Sequence, residues 1–134
     1  MKELNINLNT FIHGNFINLK VCDNLIDTFN KSKKDQVPGG FTKDDKYLVD
    51  KEWKDSTDLE IDLHDVSLTE YKNELSKVLK NYCNKYIHIN SLDYFTVTKK
   101  MIIQYYKKGG GFKKWHSERG SKLSQDRVLV FMTF

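Results

Sequence analysis

The sequence predicts an α+β fold. Three observations carry that expectation: two stretches with apolar residues at helical spacing, alternating apolar and polar runs around them, and a last third rich in β-branched and aromatic residues. A chain of 134 residues is one domain's worth and is long enough to bury a core without staples. A hydrophobic share of 39% and an aromatic share of 13% set it apart from disordered chains, although 30% of its residues are charged. A net charge of +4 permits contact with a polyanion without demanding one.

The elements follow in order. In "LNINLNTFI", Leu4, Ile6 and Leu8 alternate with polar residues, the pattern of a half-buried strand that Gly14 ends. From Asn18, a candidate N-cap, Leu19, Cys22, Leu25, Ile26 and Phe29 share one stripe and predict a helix that frays within "NKSKKD". Residues 35–56 hold the only proline and two glycines and read as a long irregular connection with a short strand near Tyr47; connections of this length often act as lids or binding loops. Leu59, Ile61 and Leu63 alternate and predict a strand. Ser67 and Glu70 form a capping box ahead of a helix over 68–86, with Leu68, Tyr71, Leu75, Val78, Leu79, Tyr82 and Tyr86 on its apolar face. Strand-like runs "YFTVT", "MIIQYY" and "RVLVFMTF" complete the chain, with a glycine loop between the last two. The final run reads as a central strand, and the chain stops inside it, so the expectation is the front part of a longer domain.

Cys22 and Cys83 lie far apart in apolar helical patterns and predict buried free thiols and a cytoplasmic setting. The N-terminus lacks the apolar core of a secretory signal. No stretch approaches the length of a membrane span, so no membrane partner is expected.

The segment "YYKKGGGFKKWHSERG", residues 105–120, raises the chemical question. On an extended segment alternate residues share a face, which places His116 beside Glu118. An imidazole and a carboxylate on one face can take adjacent positions on a metal; a second histidine would complete the facial triad of non-haem Fe(II) oxygenases. The tripeptide alone is weak evidence, since most surface His/Glu pairs are solvated. Its place after a glycine loop, between strand-like runs and beside Trp115 as an apolar wall or packing residue, strengthens it.

"IIQYYKKGGGFKKWHSERG" followed by "RVLVFMTF" resembles the prolyl 4-hydroxylase-like branch of the 2-oxoglutarate- and Fe(II)-dependent dioxygenases, with a strand-end tyrosine, a glycine turn, an aromatic residue, H-x-D and an arginine-led apolar strand. Tyr106, Gly109 to Gly111, Phe112, His116 with Glu118, and Arg127 match those positions, with Glu118 in place of the usual aspartate. The resemblance covers most of the chain but is specific only over about 102–134. It implies one incomplete dioxygenase domain over 1–134: a helical and β support region at 1–90, and the first core strands of a double-stranded β-helix, a jelly-roll relative, at 91–134. It also implies Fe(II) held by His116 and Glu118, 2-oxoglutarate as cosubstrate with Tyr106 as a hydrogen-bond donor to it, support by ascorbate, and hydroxylation of a prolyl or other protein or peptide side chain. The family's distal histidine and its basic anchor for 2-oxoglutarate fall beyond residue 134.

Other readings stand beside this one. Tyr106 also reads as a core tyrosine, and the glycines as a mobile hairpin loop. His13, His64 and His88 read as structural or surface residues. Lys99, Lys100, Lys107, Lys108, Lys113, Lys114, Arg119, Lys122 and Arg127 crowd one region with aromatics between them, which fits a nucleic-acid-binding module as a second, less favoured hypothesis. A non-catalytic relic that keeps the scaffold is a third.

Overall fold

The computed structural model describes residues 2–122 and 124–134. The fold is α+β, with the elements α1 (Leu19–Lys31), β1 (Val37–Pro38), β2 (Phe41–Lys43), β3 (Lys46–Leu48), β4 (Lys54–Asp55), β5 (Thr57–Asp62), α2 (Thr69–Lys85), β6 (Lys100–Tyr105) and β7 (Gly111–Phe112). The strands form a three-stranded sheet in the order β1-β5-β6 and two two-stranded ladders, β2-β3 and β4-β7; the described residues close no barrel. The chain divides into two compact units, Met1–Lys33 with Ile61–Met101, and Lys34–Glu60 with Ile102–Phe134.

In the first unit α1 starts where its N-cap predicts: the Asn18 side chain accepts from the Lys20 amide at 3.0 Å. The helix ends at Lys31, and the Ser32 amide bonds back to the carbonyls of Thr28 and Phe29. Helix α2 forms as its apolar stripe predicts, with Leu68 and Tyr71 buried at its entry. Its start differs from the expected capping box. Asp65, not Ser67, caps a 3-10 turn over Val66–Leu68 by accepting from the Ser67 amide at 2.8 Å. Glu70 is drawn away to α1, where its carboxylate accepts from the Asn24 side chain at 2.8 Å. The hydroxyls of Tyr82 and Tyr86 reach back to the carbonyls of Phe11 and Ile12 at 3.0 and 3.1 Å, tying the N-terminal segment to α2.

That N-terminal segment is not the expected strand. Only residues near Glu3 and Asn15 pair, through Leu4 N–H to Gly14 O and Phe16 N–H to Lys2 O. Between them a 3-10 turn covers Leu8–Thr10. Asn7 explains it: its side chain accepts from the Asn9 amide, and its carbonyl accepts from the Thr10 hydroxyl, so local side-chain bonds outcompete a ladder. "YFTVT" keeps the predicted alternation in its burial, with Phe95 and Val97 half-buried, but among the described residues no strand pairs with it. Residues 127–134, predicted as a central strand, likewise carry no ladder among the described residues, and Val128, Val130, Phe131 and Met132 stand exposed. A strand exists only as a paired element, so an apolar pattern without a partner stays irregular.

In the second unit the expected long connection is more ordered than its composition suggests. Strands β2 and β3 form a hairpin in the register Phe41↔Leu48, Thr42↔Tyr47, Lys43↔Lys46. Its two-residue turn, Asp44-Asp45, has φ of 51° and 58°, the left-handed geometry that matches strand twist and that aspartate tolerates. Tyr47 lies on β3, as expected. Phe41 stacks on Trp53 with ring centroids 4.6 Å apart and planes 9° from parallel. Strand β5 appears as read from Leu59 and Ile61, both buried. Cys22 and Cys83 are free thiols, half-buried rather than fully buried. No helix of the described residues is long and apolar enough to cross a membrane.

Leu68 is 1% exposed, so Leu68→Ala should lower unfolding stability by about 2–5 kcal/mol in urea titration. The Ser67 hydroxyl and then its amide hold the Asp65 carboxyl below its ordinary value. Its contribution is therefore present above the unfolded-state value and is lost as pH falls through the folded one. Comparing urea midpoints of the wild type and Asp65→Ala should show a gap near neutrality that narrows through the acid range.

Candidate metal-binding site

The site is built on the β4-β7 ladder, which pairs Lys54 with Phe112 and Asp55 with Gly111. The Lys113 amide extends the pairing by donating to the Trp53 carbonyl at 2.7 Å. The turn ahead of it is fixed: the Gly110 amide bonds to the Lys107 carbonyl at 2.8 Å, and Gly109 holds φ of 82°, a region that only glycine enters without strain. The Lys107 ammonium meets Asp55 at 3.3 Å. The glycines thus form a defined turn that delivers Phe112 beside Lys54.

Beyond Phe112 the chain is irregular, not extended as expected. It folds back so that the His116 imidazole stacks on the Phe112 ring, centroids 3.8 Å apart and planes 12° from parallel. His116 Nδ1 lies 3.1 Å from the Lys114 carbonyl. A carbonyl can only accept, so Nδ1 carries a proton in this arrangement and Nε2 is the nitrogen open to another partner. Glu118 Oε1 stands 3.4 Å from Nε2. Its other oxygen, Oε2, accepts from the Arg127 guanidinium at 2.8 Å. The two candidate ligands therefore converge, each a little over one-third exposed and each oriented by a second partner.

Two states satisfy this geometry. An imidazolium at Nε2 would make an ion pair with Glu118. A neutral imidazole would leave a lone pair facing a carboxylate oxygen, an unfavourable contact that a cation between them relieves. Two ligands each about 2.1 Å from one ion, at roughly a right angle, lie about 3 Å apart, close to the observed separation. The His116–carbonyl and Glu118–arginine bonds are the kind of outer contacts that fix metal ligands. Among the described residues no group of three or more His, Cys, Asp or Glu side chains gathers as a metal site.

Tyr106 lies one residue past β6 and gives its hydroxyl to Gln104 Oε1 at 3.0 Å. Burial raises its pKa, the Asp58 charge adds to this, and a hydrogen bond with Ser56 opposes it, so at neutral pH it is a phenol able to donate. It makes no hydrogen bond to His116 or Glu118. His13 lies edge-on to Tyr82, with centroids 6.4 Å apart. His64 and His88 are both exposed in the first unit, on a turn and on the 3-10 helix over Ile87–Ser91. Trp115, expected as a wall or packing residue, is instead fully exposed.

Sequence reasoning missed a buried polar cluster beneath the ladder. The Lys54 ammonium meets Asp58 Oδ2 at 2.6 Å, and these residues are 3% and 5% exposed. The Ser56 hydroxyl donates to Asp58 Oδ1 at 2.7 Å. A Cβ at Gly39 would collide with that hydroxyl, so the chain closes over the cluster only with glycine there. Lys54 Nζ also lies 5.7 Å from the Phe112 centroid, placing a cation on the ring that carries His116. The signal was present: Lys54, Ser56 and Asp58 occupy alternate positions of a strand-like run. No family model, curated protein or solved structure matches this chain.

Removing one partner of a buried ion pair leaves the other charge uncompensated. Lys54→Ala should therefore cost about 3–5 kcal/mol in chemical denaturation, whereas Lys54→Met combined with Asp58→Leu should recover most of that loss.

Proposed function

We propose that this chain supplies part of the Fe(II) centre of a 2-oxoglutarate-dependent dioxygenase of the prolyl 4-hydroxylase-like type, acting on a prolyl or other side chain of a protein or peptide. The observation that carries this reading is the approach of His116 Nε2 to Glu118 Oε1 at 3.4 Å, with Nδ1 turned to a backbone carbonyl. The donor set fits two adjacent positions of a facial triad. On this reading the strands of the second unit are the opening strands of a double-stranded β-helix, and a histidine outside the described constellation completes the triad.

His116 and Glu118 would hold the metal. Lys114, through its carbonyl, keeps the His116 proton on Nδ1. Arg127 occupies one oxygen of Glu118, so the other would be the oxygen offered to the metal. Phe112 covers one face of the imidazole and excludes water from it. Tyr106, kept protonated by burial, is the candidate donor to 2-oxoglutarate. Fe(II) held there would supply, with 2-oxoglutarate and O₂, the oxidising chemistry of side-chain hydroxylation coupled to succinate formation. Ascorbate would serve such a centre as a reductant. A cytoplasmic setting accords with the two free thiols.

Titration with Mn(II), read by electron paramagnetic resonance, tests the site without requiring turnover. His116→Ala should abolish specific binding. Arg127→Ala should weaken it by about tenfold to a hundredfold, the usual effect of losing an outer-shell partner. Succinate formation from 2-oxoglutarate with added Fe(II) should follow the same order. Unchanged Mn(II) binding in His116→Ala would remove the basis for this function.

A further inference from the structure

We propose that the surface around Trp115 binds single-stranded nucleic acid. The inference is independent of the oxygenase reading and rests on a different observation: a tryptophan that the sequence led one to expect against the protein stands wholly in solvent. A large aromatic face left in water is unfavourable unless a partner covers it.

The surroundings define the partner's charge. From Tyr105 to Arg119 the chain carries five basic residues, Lys107, Lys108, Lys113, Lys114 and Arg119, and one acidic residue, Glu118. Glu118 is neutralised by Arg127 at 2.8 Å. Lys107 is taken up by Asp55. Lys108, Lys113 and Lys114 are exposed, and among the described residues no carboxylate pairs with them. Lys113 and Lys114 immediately precede Trp115, so positive charge lies within two residues of the exposed indole. The segment is held in place by the bonds from Lys113 N–H to Trp53 O and from Gly110 N–H to Lys107 O, so little ordering is needed on binding.

The shape of the surface selects among anionic partners. An indole exposed on all sides offers a flat face and no pocket. That suits a planar base, which stacks on an aromatic whatever its sequence, while the neighbouring lysines meet the phosphates. An acidic peptide brings the charge without a ring to cover the indole. Duplex DNA keeps its bases stacked on one another and presents only phosphates to such a surface.

The test uses the full chain and fluorescein-labelled oligo(dT) of about eight to twelve nucleotides, within the usual site size for single-strand binders. Trp53→Phe leaves Trp115 as the sole tryptophan, and its emission should be quenched as oligo(dT) is added. In anisotropy titrations Trp115→Ala should weaken binding by about tenfold or more. The pair Lys113→Ala with Lys114→Ala should lower the slope of log affinity against log salt by about 1.4, at roughly 0.7 per phosphate contact on a single strand. Trp115 packs against nothing, so circular dichroism of Trp115→Ala should match the wild type. A chelator should leave the affinity unchanged, which separates this site from the metal reading. Absence of quenching, an affinity indifferent to Trp115→Ala, or binding to polyglutamate or anionic phospholipid vesicles in preference to oligo(dT) would each overturn the proposal.

Discussion

A lysine and an aspartate removed from water together anchor the half of the molecule that carries the candidate site. Desolvating either charge alone costs several kcal/mol even after relaxation. Lys54 and Asp58 are tolerated inside because they meet at 2.6 Å and because Ser56 satisfies the second carboxylate oxygen. This requirement constrains everything around it. Gly39 must lack a side chain for the cluster to close. Lys54 must keep its place on β4, opposite Phe112. Its ammonium also lies over the Phe112 ring, so the same cation that compensates Asp58 attracts the aromatic face on which His116 rests. The position of the imidazole is thus inherited, in two steps, from a buried ion pair.

The electrostatics of the His116–Glu118 pair follow a similar logic nearer the surface. A carboxylate has two oxygens, and Arg127 takes one of them. The other is turned toward an imidazole whose remaining nitrogen already faces a carbonyl. Every group except Nε2 and Oε1 is supplied with a protein partner, and those two are left facing each other. Partial exposure lowers the cost of that approach, since water screens it. It also leaves the pair accessible, as a ligand set must be and a purely structural ion pair need not be.

Elements with strong local patterns were legible in the sequence: α1 from Asn18 and its stripe, α2 from its long apolar face, β5 from Leu59 and Ile61. Features that depend on a competing partner were not. The capping box failed because Glu70 found Asn24 on α1 and because Asp65 sat two residues before Ser67 with a carboxylate ready to accept. The N-terminal alternation yielded to Asn7, whose side chain offers the backbone a local alternative. "YFTVT" has a strand's pattern, but pattern cannot supply a neighbour. The Asp44-Asp45 turn was obscured because aspartate pairs are a weaker hairpin signal than Asn-Gly or Asp-Gly. In the site, the approach of His116 to Glu118 was legible, whereas the Lys54 cluster showed only as the alternation of Lys54, Ser56 and Asp58, a pattern that puts the three on one face without saying that the face is buried.

The convergence itself arises differently from the rule that suggested it. On an extended strand, residues four apart are separated by about 13 Å, yet Phe112 and His116 stack at 3.8 Å. The chain between them must reverse. That reversal turns the imidazole inward onto Phe112 while its immediate neighbour, Trp115, is left in solvent. It also brings the Lys114 carbonyl within 3.1 Å of Nδ1, a contact that an extended segment could not make. One local bend therefore does two things at once: it sets the tautomer that leaves Nε2 facing Glu118, and it presents an indole preceded by lysines to the outside. A straighter chain would keep His116 and Glu118 on one face but lose both the carbonyl that orients the imidazole and the ring that shields it. The geometry of the inner pair and the exposure of the outer tryptophan are consequences of the same turn.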